Sequence, residues 1–259
     1  MKRRYLAYLA LVFCWVLQGC QFSKSDVSTL DKVLKRGILR VGTTGDYPPF
    51  TYLNDQLAYE GIDIELAHNL AATLDAEIQF VPTTWATLLE DLQDDKFDIA
   101  MGGISKKLVR QQVGLFSVGY HLGGKTPIAK CEDTIRYNSL EKIDQVGVRI
   151  IVNFGGTNQD FIKKNIKKAT VQIHDDNTTI FQQLANGKAD VMITDVAEVL
   201  FQSKKNPKLC AAMPGELLDK FQMGYLMPRD LIWKAYVDEW IAHQMLENKI
   251  EKIFSAHLD

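Results

Sequence analysis

The residues able to do chemistry gather where runs of β-forming residues end. Thr43, Asp46 and Tyr47 follow residues 38–42, and Gly103, Ser105 and Arg110 follow residues 97–101. Asn153, Gly156, Thr157 and Asn158 follow residues 148–152, and Asp195 and Glu198 follow residues 189–193. Gly156-Thr157-Asn158 opens a helix, whose free backbone N–H groups can receive an anion such as a carboxylate. Asp195 and Glu198 stand one helical turn apart. A carboxylic acid enclosed in an apolar cleft keeps its proton towards neutral pH and can protonate a departing hydroxyl. The alternative for Glu198 is an exposed glutamate on the following helix. Tyr47 and Trp85 are candidate aromatic walls, whereas Phe50 reads more readily as core. Lys125 could hold a carboxylate, and Asn153 could fix a hydrogen bond beside it. Arg110 offers a planar fork that fits a carboxylate with two hydrogen bonds, against the alternative of a surface arginine.

These positions depend on an alternation of strands and helices. Residues 30–36 form a short helix that Gly37 stops, residues 38–42 a strand, and residues 43–50, with Gly45 and Pro48-Pro49, a loop. Ile62, Leu66, Leu70 and Leu74 recur every fourth position, which predicts an amphipathic helix over 62–74. A strand over 77–81, a helix over 85–92 and a strand over 97–101 complete a first unit. The order then recurs as a strand at 148–152, a helix at 157–166, a strand at 170–173, a helix at 179–184 and a strand at 189–193. Leu92-x-x-x-Lys96-Phe97-Asp98-Ile99 and Leu184-x-x-x-Lys188-Ala189-Asp190-Val191 share one helix-turn-strand wording. The expected fold is therefore α/β with two lobes, each a doubly wound, mostly parallel sheet. Ligands of such sheets bind beyond the carboxyl ends of the strands. Lobe 1 is expected from residues 30–124 and 218–259, with a helical region over 231–254, and lobe 2 from residues 125–217. Crossings near 124–126 and 217–221 would make a hinge.

The 259 residues suffice for one large core or two modest ones. Hydrophobic content of 46% and charged content of 24% are ordinary for a soluble globular protein. A net charge of −2 gives no reason to expect nucleic acid, and Lys163-Lys164 with Lys167-Lys168 reads as a solvated helix face. Residues 1–19 look like an export signal: Lys2, Arg3 and Arg4 precede an apolar stretch over 5–17 too short to span a membrane as a mature helix. Leu17-Gln18-Gly19-Cys20 resembles a lipoprotein cleavage box, which would lipidate Cys20 and leave 20–29 as a linker. Gln18 is unusual there, so ordinary signal cleavage nearby stays open. Of four cysteines only Cys131 and Cys210 then remain in the folded part. In an oxidising compartment two thiols favour one disulfide, against two buried free thiols. No Cys/His metal spacing, phosphate loop, dinucleotide fingerprint or Ser/His/Asp order is visible, so neither metal nor cofactor is expected. A homo-oligomer stays open.

Gly42-Thr43-Thr44-Gly45-Asp46-Tyr47-Pro48-Pro49-Phe50, Phe97-Asp98-Ile99-Ala100 and Gly155-Gly156-Thr157 resemble the periplasmic amino-acid-binding proteins, the type II solute-binding fold. Within that superfamily the chain is most similar to the cyclohexadienyl dehydratases. Thr43–Tyr47, Gly124-Lys125-Thr126-Pro127-Ile128, Ile151-Val152-Asn153-Phe154-Gly155-Gly156-Thr157-Asn158 and Thr194-Asp195-Val196-Ala197-Glu198 carry that closer match, as does the placing of Cys131 and Cys210. The resemblance implies a periplasmic lyase that turns prephenate into phenylpyruvate, or arogenate into phenylalanine, in phenylalanine biosynthesis. It implies Glu198 as general acid with Lys125 and Asn153 beside it, and Arg110 gripping a ligand carboxylate. Thr43, Asp46, Tyr47, Trp85, Gly103, Ser105, Gly156, Thr157, Asn158 and Asp195 would line the substrate site. Asp46 and Asp195 stand where amino-acid binders contact an ammonium. The competing reading is a lipid-anchored amino-acid receptor of an importer, which shares the fold and the carboxylate clamp.

Overall fold

The structure is a computed structural model that describes residues 27–258. The export signal and the lipidation expected at Cys20 lie outside the described residues. Among the described residues no helix is long and apolar enough to cross a membrane.

The first helix, Thr29–Arg36, begins where the Ser28 hydroxyl accepts the Asp31 amide and ends at Gly37, whose φ of 68° suits a residue without a Cβ. It delivers the strand Ile38–Thr43, which lies between parallel neighbours Glu77–Pro82 and Ile99–Ala100. The sheet continues through Leu226–Met227 to Leu115–Phe116. A second sheet has the order Thr170–His174, Arg149–Asn153, Val191–Asp195, Lys125–Lys130 and Leu209–Ala211. Helical crossovers join parallel neighbours in both sheets. The strand that enters each sheet after a passage between lobes, Lys125–Lys130 or Leu226–Met227, runs antiparallel to both its neighbours. The passages themselves, His121–Gly123 and Phe221–Met223, pair antiparallel as a two-stranded ribbon.

The shared helix-turn-strand wording has a structural reason. Asp98 and Asp190 each accept the backbone N–H of an arginine on the neighbouring strand, Arg40 or Arg149, at 2.8 Å, and each also pairs with that guanidinium. Both lobes thus lock strand register with an aspartate at the same turn, buried in the first lobe and half-buried in the second. Lobe cores pack around Leu66, Leu70, Trp233 and Ile241 on one side and Ile150, Val152, Val191 and Ile193 on the other. Burial of each aliphatic side chain contributes about 1.5–3 kcal/mol.

Three local expectations are corrected. Residues 43–50 are not all loop, because Asp46–Tyr47 pairs with Thr51–Leu53 in a small three-stranded sheet completed by Tyr59–Glu60. The helix expected from residue 85 begins at Leu88, since Thr84 accepts the amides of Thr87 and Leu88 and leaves Trp85 in the preceding turn. The C-terminal helical region runs on to Leu258 rather than ending at 254, as two helices, Leu231–Leu246 and Lys249–Leu258, parted at Asn248, whose φ is 54°. Cys131 and Cys210 form a disulfide with a Cα separation of 4.8 Å beside the second sheet.

Candidate active site

Glu198 sits in the first turn of the helix Val196–Lys205, directly after the fully buried strand Val191–Asp195, and is 0% exposed. The Thr194 hydroxyl donates to its Oε2 at 2.5 Å, while Oε1 is buried without a hydrogen-bond partner among the described residues. Burial pushes this carboxyl well above the usual carboxylate range. The Thr194 bond and the Lys125 charge pull the other way, and the Asp195 and Asp46 charges add to the rise. A neutral acid is the form this environment favours.

Lys125 opens the first strand of the second sheet and is 1% exposed. Its Nζ donates to Asp195 Oδ1 at 2.6 Å, to Thr157 Oγ1 at 3.1 Å and to Asn158 Oδ1, so all three ammonium hydrogens are engaged. Asn158 in turn donates from Nδ2 to Asn153 Oδ1 and to Thr194 Oγ1, both at 3.0 Å. Thr157 and Asn158 lie in the first turn of the helix Gly156–Asn165, whose leading amides have no intrahelical acceptor. Gly155 and Gly156, at φ of 73° and 72°, let this turn approach the opposite lobe, where a Cβ on Gly156 would stand 3.4 Å from Trp85.

The first lobe supplies aromatics and the guanidinium. Tyr47 donates its hydroxyl across the cleft to Asp195 Oδ2, stacks on Phe50 at 5.3 Å and meets Trp85 edge-on at 5.4 Å. Phe50 is wholly buried behind Tyr47, so it is core rather than wall. Arg110 is 7% exposed, donates to the Ser105 carbonyl at 3.1 Å and lies 6.0 Å from the Trp85 ring centre. Burial lowers its pKa, offset by the charges of Asp160 and Asp195 on the other lobe. A buried guanidinium without a carboxylate partner among the described residues is suited to one on a ligand.

Tyr47, Trp85, Gly103, Ser105, Asn153, Gly156, Thr157, Asn158 and Asp195 line one small cavity between the lobes. Lys125 and Glu198 lie behind that lining, tied to it through Asn158, Asp195 and Thr194. Three further expected residues do not line the cavity: Arg110 borders it through the Ser105 carbonyl and the Trp85 ring, and two others turn away. Thr43 spends its hydroxyl on Thr51 at 2.8 Å, and Asp46 accepts the Trp85 indole N–H at 3.2 Å and borders a neighbouring groove.

Two residues escaped sequence reasoning. Asn177 also lines the cavity; its Nδ2 donates across the cleft to the Asp46 carbonyl at 2.8 Å, and its Oδ1 is buried with no partner among the described residues. A signal existed. The register that matches Leu92 with Leu184, carried back seven residues, sets Asn177 opposite Trp85. Asp63 is buried in the first lobe and accepts the Gly103 amide at 2.5 Å and the hydroxyls of Tyr120 and Tyr225, which fixes the loop under the cavity. Burial raises it to about 6. Its position in a helix gave no sign of that task.

Comparisons with known proteins agree with this architecture. The cyclohexadienyl dehydratase of Pseudomonas aeruginosa is 45% identical over 241 residues, covering 93% of this chain and 90% of that protein. The crystal structure of an ancestral amino acid-binding protein, described as a precursor of cyclohexadienyl dehydratase, superposes with a TM-score of 0.84 at 30% identity, over 90% of this chain and 100% of that one. An ancestral cyclohexadienyl dehydratase superposes with a TM-score of 0.57 at 44% identity, over 90% of this chain and 97% of that one. A model of the bacterial extracellular solute-binding proteins, family 3, matches residues 39–258. With its two-lobed type II periplasmic-binding-protein fold, the chain belongs to the bacterial extracellular solute-binding proteins, family 3.

Proposed function

We propose that this protein is a cyclohexadienyl dehydratase, a carbon–oxygen lyase acting on prephenate, arogenate or both. The observation that carries the reading is the wholly buried carboxyl of Glu198, held beside the Lys125–Asn158–Asn153 network at a cleft that can take a carboxylate. The 45% identity to a cyclohexadienyl dehydratase over nearly the whole chain supports it.

In the reaction the bond from the ring to its carboxylate breaks, and that electron pair enters the ring as CO₂ departs. The ring C–OH bond breaks in concert, and hydroxide is a poor leaving group. Glu198 supplies the proton that turns it into water, and solvent later returns a proton to the carboxylate. Arg110 grips the pyruvyl or alanyl carboxylate, because charge held on the departing carboxylate would oppose loss of CO₂. Trp85 and Tyr47 flank the ring, and Asn153, held by the Asn158 amide that Lys125 orients, steadies the leaving oxygen. In a receptor for a free amino acid, Asp195 would be open to the ammonium. Here its two oxygens face Lys125 and Tyr47, which favours the enzyme.

The ribbon between the lobes acts as a hinge, with lobe boundaries at 124/125 and 217/218, and its bending admits substrate. The protein works in the periplasm, held to a membrane through a lipid on Cys20. Incubating the purified protein with prephenate should yield phenylpyruvate. Absence of product from both prephenate and arogenate, together with tight calorimetric binding of an amino acid, would leave the receptor.

A further inference from the structure

We propose that Thr194 is a positioning residue that fixes the acidic proton of Glu198 on Oε1, the oxygen left free to give it away. The proposal rests on the reading of Glu198 as general acid and adds which oxygen acts and what selects it.

The direction of each hydrogen bond follows from the first donor. Lys125 can only donate, so the atom of Asn158 that meets it is the carbonyl Oδ1. Asn158 must then point its amide Nδ2 the other way, where Asn153 Oδ1 and Thr194 Oγ1 each take one of its two hydrogens. Thr194 Oγ1 accepts from Asn158 and gives its single hydrogen to Glu198 Oε2 at 2.5 Å. A proton on Oε2 would collide with that hydrogen. The carboxyl proton therefore sits on Oε1, which is buried and has no partner among the described residues. Thr194 is itself 0% exposed and belongs to the strand Val191–Asp195, so its hydroxyl is held by the sheet rather than by solvent.

The charges around Glu198 come from several elements. Lys125 lies on the adjacent strand, Asp195 at the end of the strand before Glu198, and Asp46 on the hairpin of the opposite lobe, whose Tyr47 also faces Glu198. The helix Lys249–Leu258, packed on the same helix, adds the apolar Phe254 to the core cluster that contains Ala197. Among these, the Thr194 bond favours the ionised carboxyl, so its loss should raise the pH at which Glu198 gives up its proton.

The test compares Thr194→Val, Thr194→Ala and Thr194→Ser with the parent in steady-state turnover of prephenate across pH, with folding checked by circular dichroism and thermal melting. For Val and Ala, kcat should fall about ten- to a hundredfold, the worth of one buried hydrogen bond to an ionisable group, while KM changes little. The alkaline limb of kcat should move to higher pH, and Ser, which keeps the hydroxyl, should restore most of the rate and the limb. Parent-like kcat and limb in both hydroxyl-free variants would overturn the proposal. So would a loss confined to KM, or a Ser variant as slow as Val. Glu198→Gln, run alongside, separates the two claims. If it retains turnover, the general-acid reading itself fails; if it is inactive while the Thr194 variants are unaffected, only the role of Thr194 fails.

Discussion

Replacing Lys125 by Met tests whether the buried ammonium at the cleft is an electrostatic keystone. The change keeps the apolar stem and removes the charge that faces Asp195 at 2.6 Å, where the two side chains are 1% and 3% exposed. Removing one partner of such a pair strands the other as a buried, uncompensated charge, at a cost of about 3–5 kcal/mol. Asn158 Oδ1 and Thr157 Oγ1 lose a donor at the same time. For a chain of this size, 1 kcal/mol shifts Tm by roughly 2–4 °C, so Lys125→Met should melt about 6–20 °C below the parent. Adding Asp195→Asn removes the stranded charge, and the double variant should recover to within about 1.5 kcal/mol of the parent. Differential scanning calorimetry of the parent, both single variants and the double gives the coupling. Melting of Lys125→Met within about 2 °C of the parent, or a double variant as unstable as the sum of the singles, would refute the reasoning.

Reducing the Cys131–Cys210 bond opens a loop of 79 residues and should lower stability by about 2–4 kcal/mol, read as a lower Tm in dithiothreitol and its absence in a Cys131→Ser/Cys210→Ser variant. Arg110→Lys keeps the charge but loses the planar fork, so KM for prephenate should rise by at least about tenfold in steady-state assays; an unchanged KM would remove Arg110 from the site. Glu198→Gln should change how stability depends on pH. Since folding raises the Glu198 pKa above its unfolded value near 4.5, the folded state binds the extra proton, and its stability falls as pH rises through the window above that value. The variant should lack that decline in melting curves from pH 5 to 8, and parallel curves would contradict it.

Much of the fold was legible because the cores obey simple periodicity. Leu66 and Leu70 mark a helix, and the paired Lys-x-Asp turns at residues 96–98 and 188–190 mark equivalent strand entries in two lobes. Strand direction beyond the crossovers was not legible, because Lys125–Lys130 and Leu226–Met227 reach their sheets through a ribbon between lobes that no local pattern encodes. The site divides in the same way. Asn153 and Asp195, both at strand ends, line the cavity because topology puts strand ends at the cleft, and Glu198 follows Asp195 one helical turn on. Thr43 and Asp46 also follow a strand end, yet their side chains turn to Thr51 and Trp85, a choice made by neighbours distant in sequence. Asn177 was visible only through the internal repeat, and Asp63 only through the three donors that folding gathers around it.

Single-turnover conversion of prephenate by the parent and by Glu198→Gln, with ligand affinity measured in parallel, tests the central claim most directly. The amide keeps the shape of the buried side chain but has no acidic proton to give. The parent should form phenylpyruvate, and the variant should bind prephenate as the parent does while turning over about 10²- to 10⁴-fold more slowly. A variant as fast as the parent, or a parent that binds prephenate without converting it, would contradict the account.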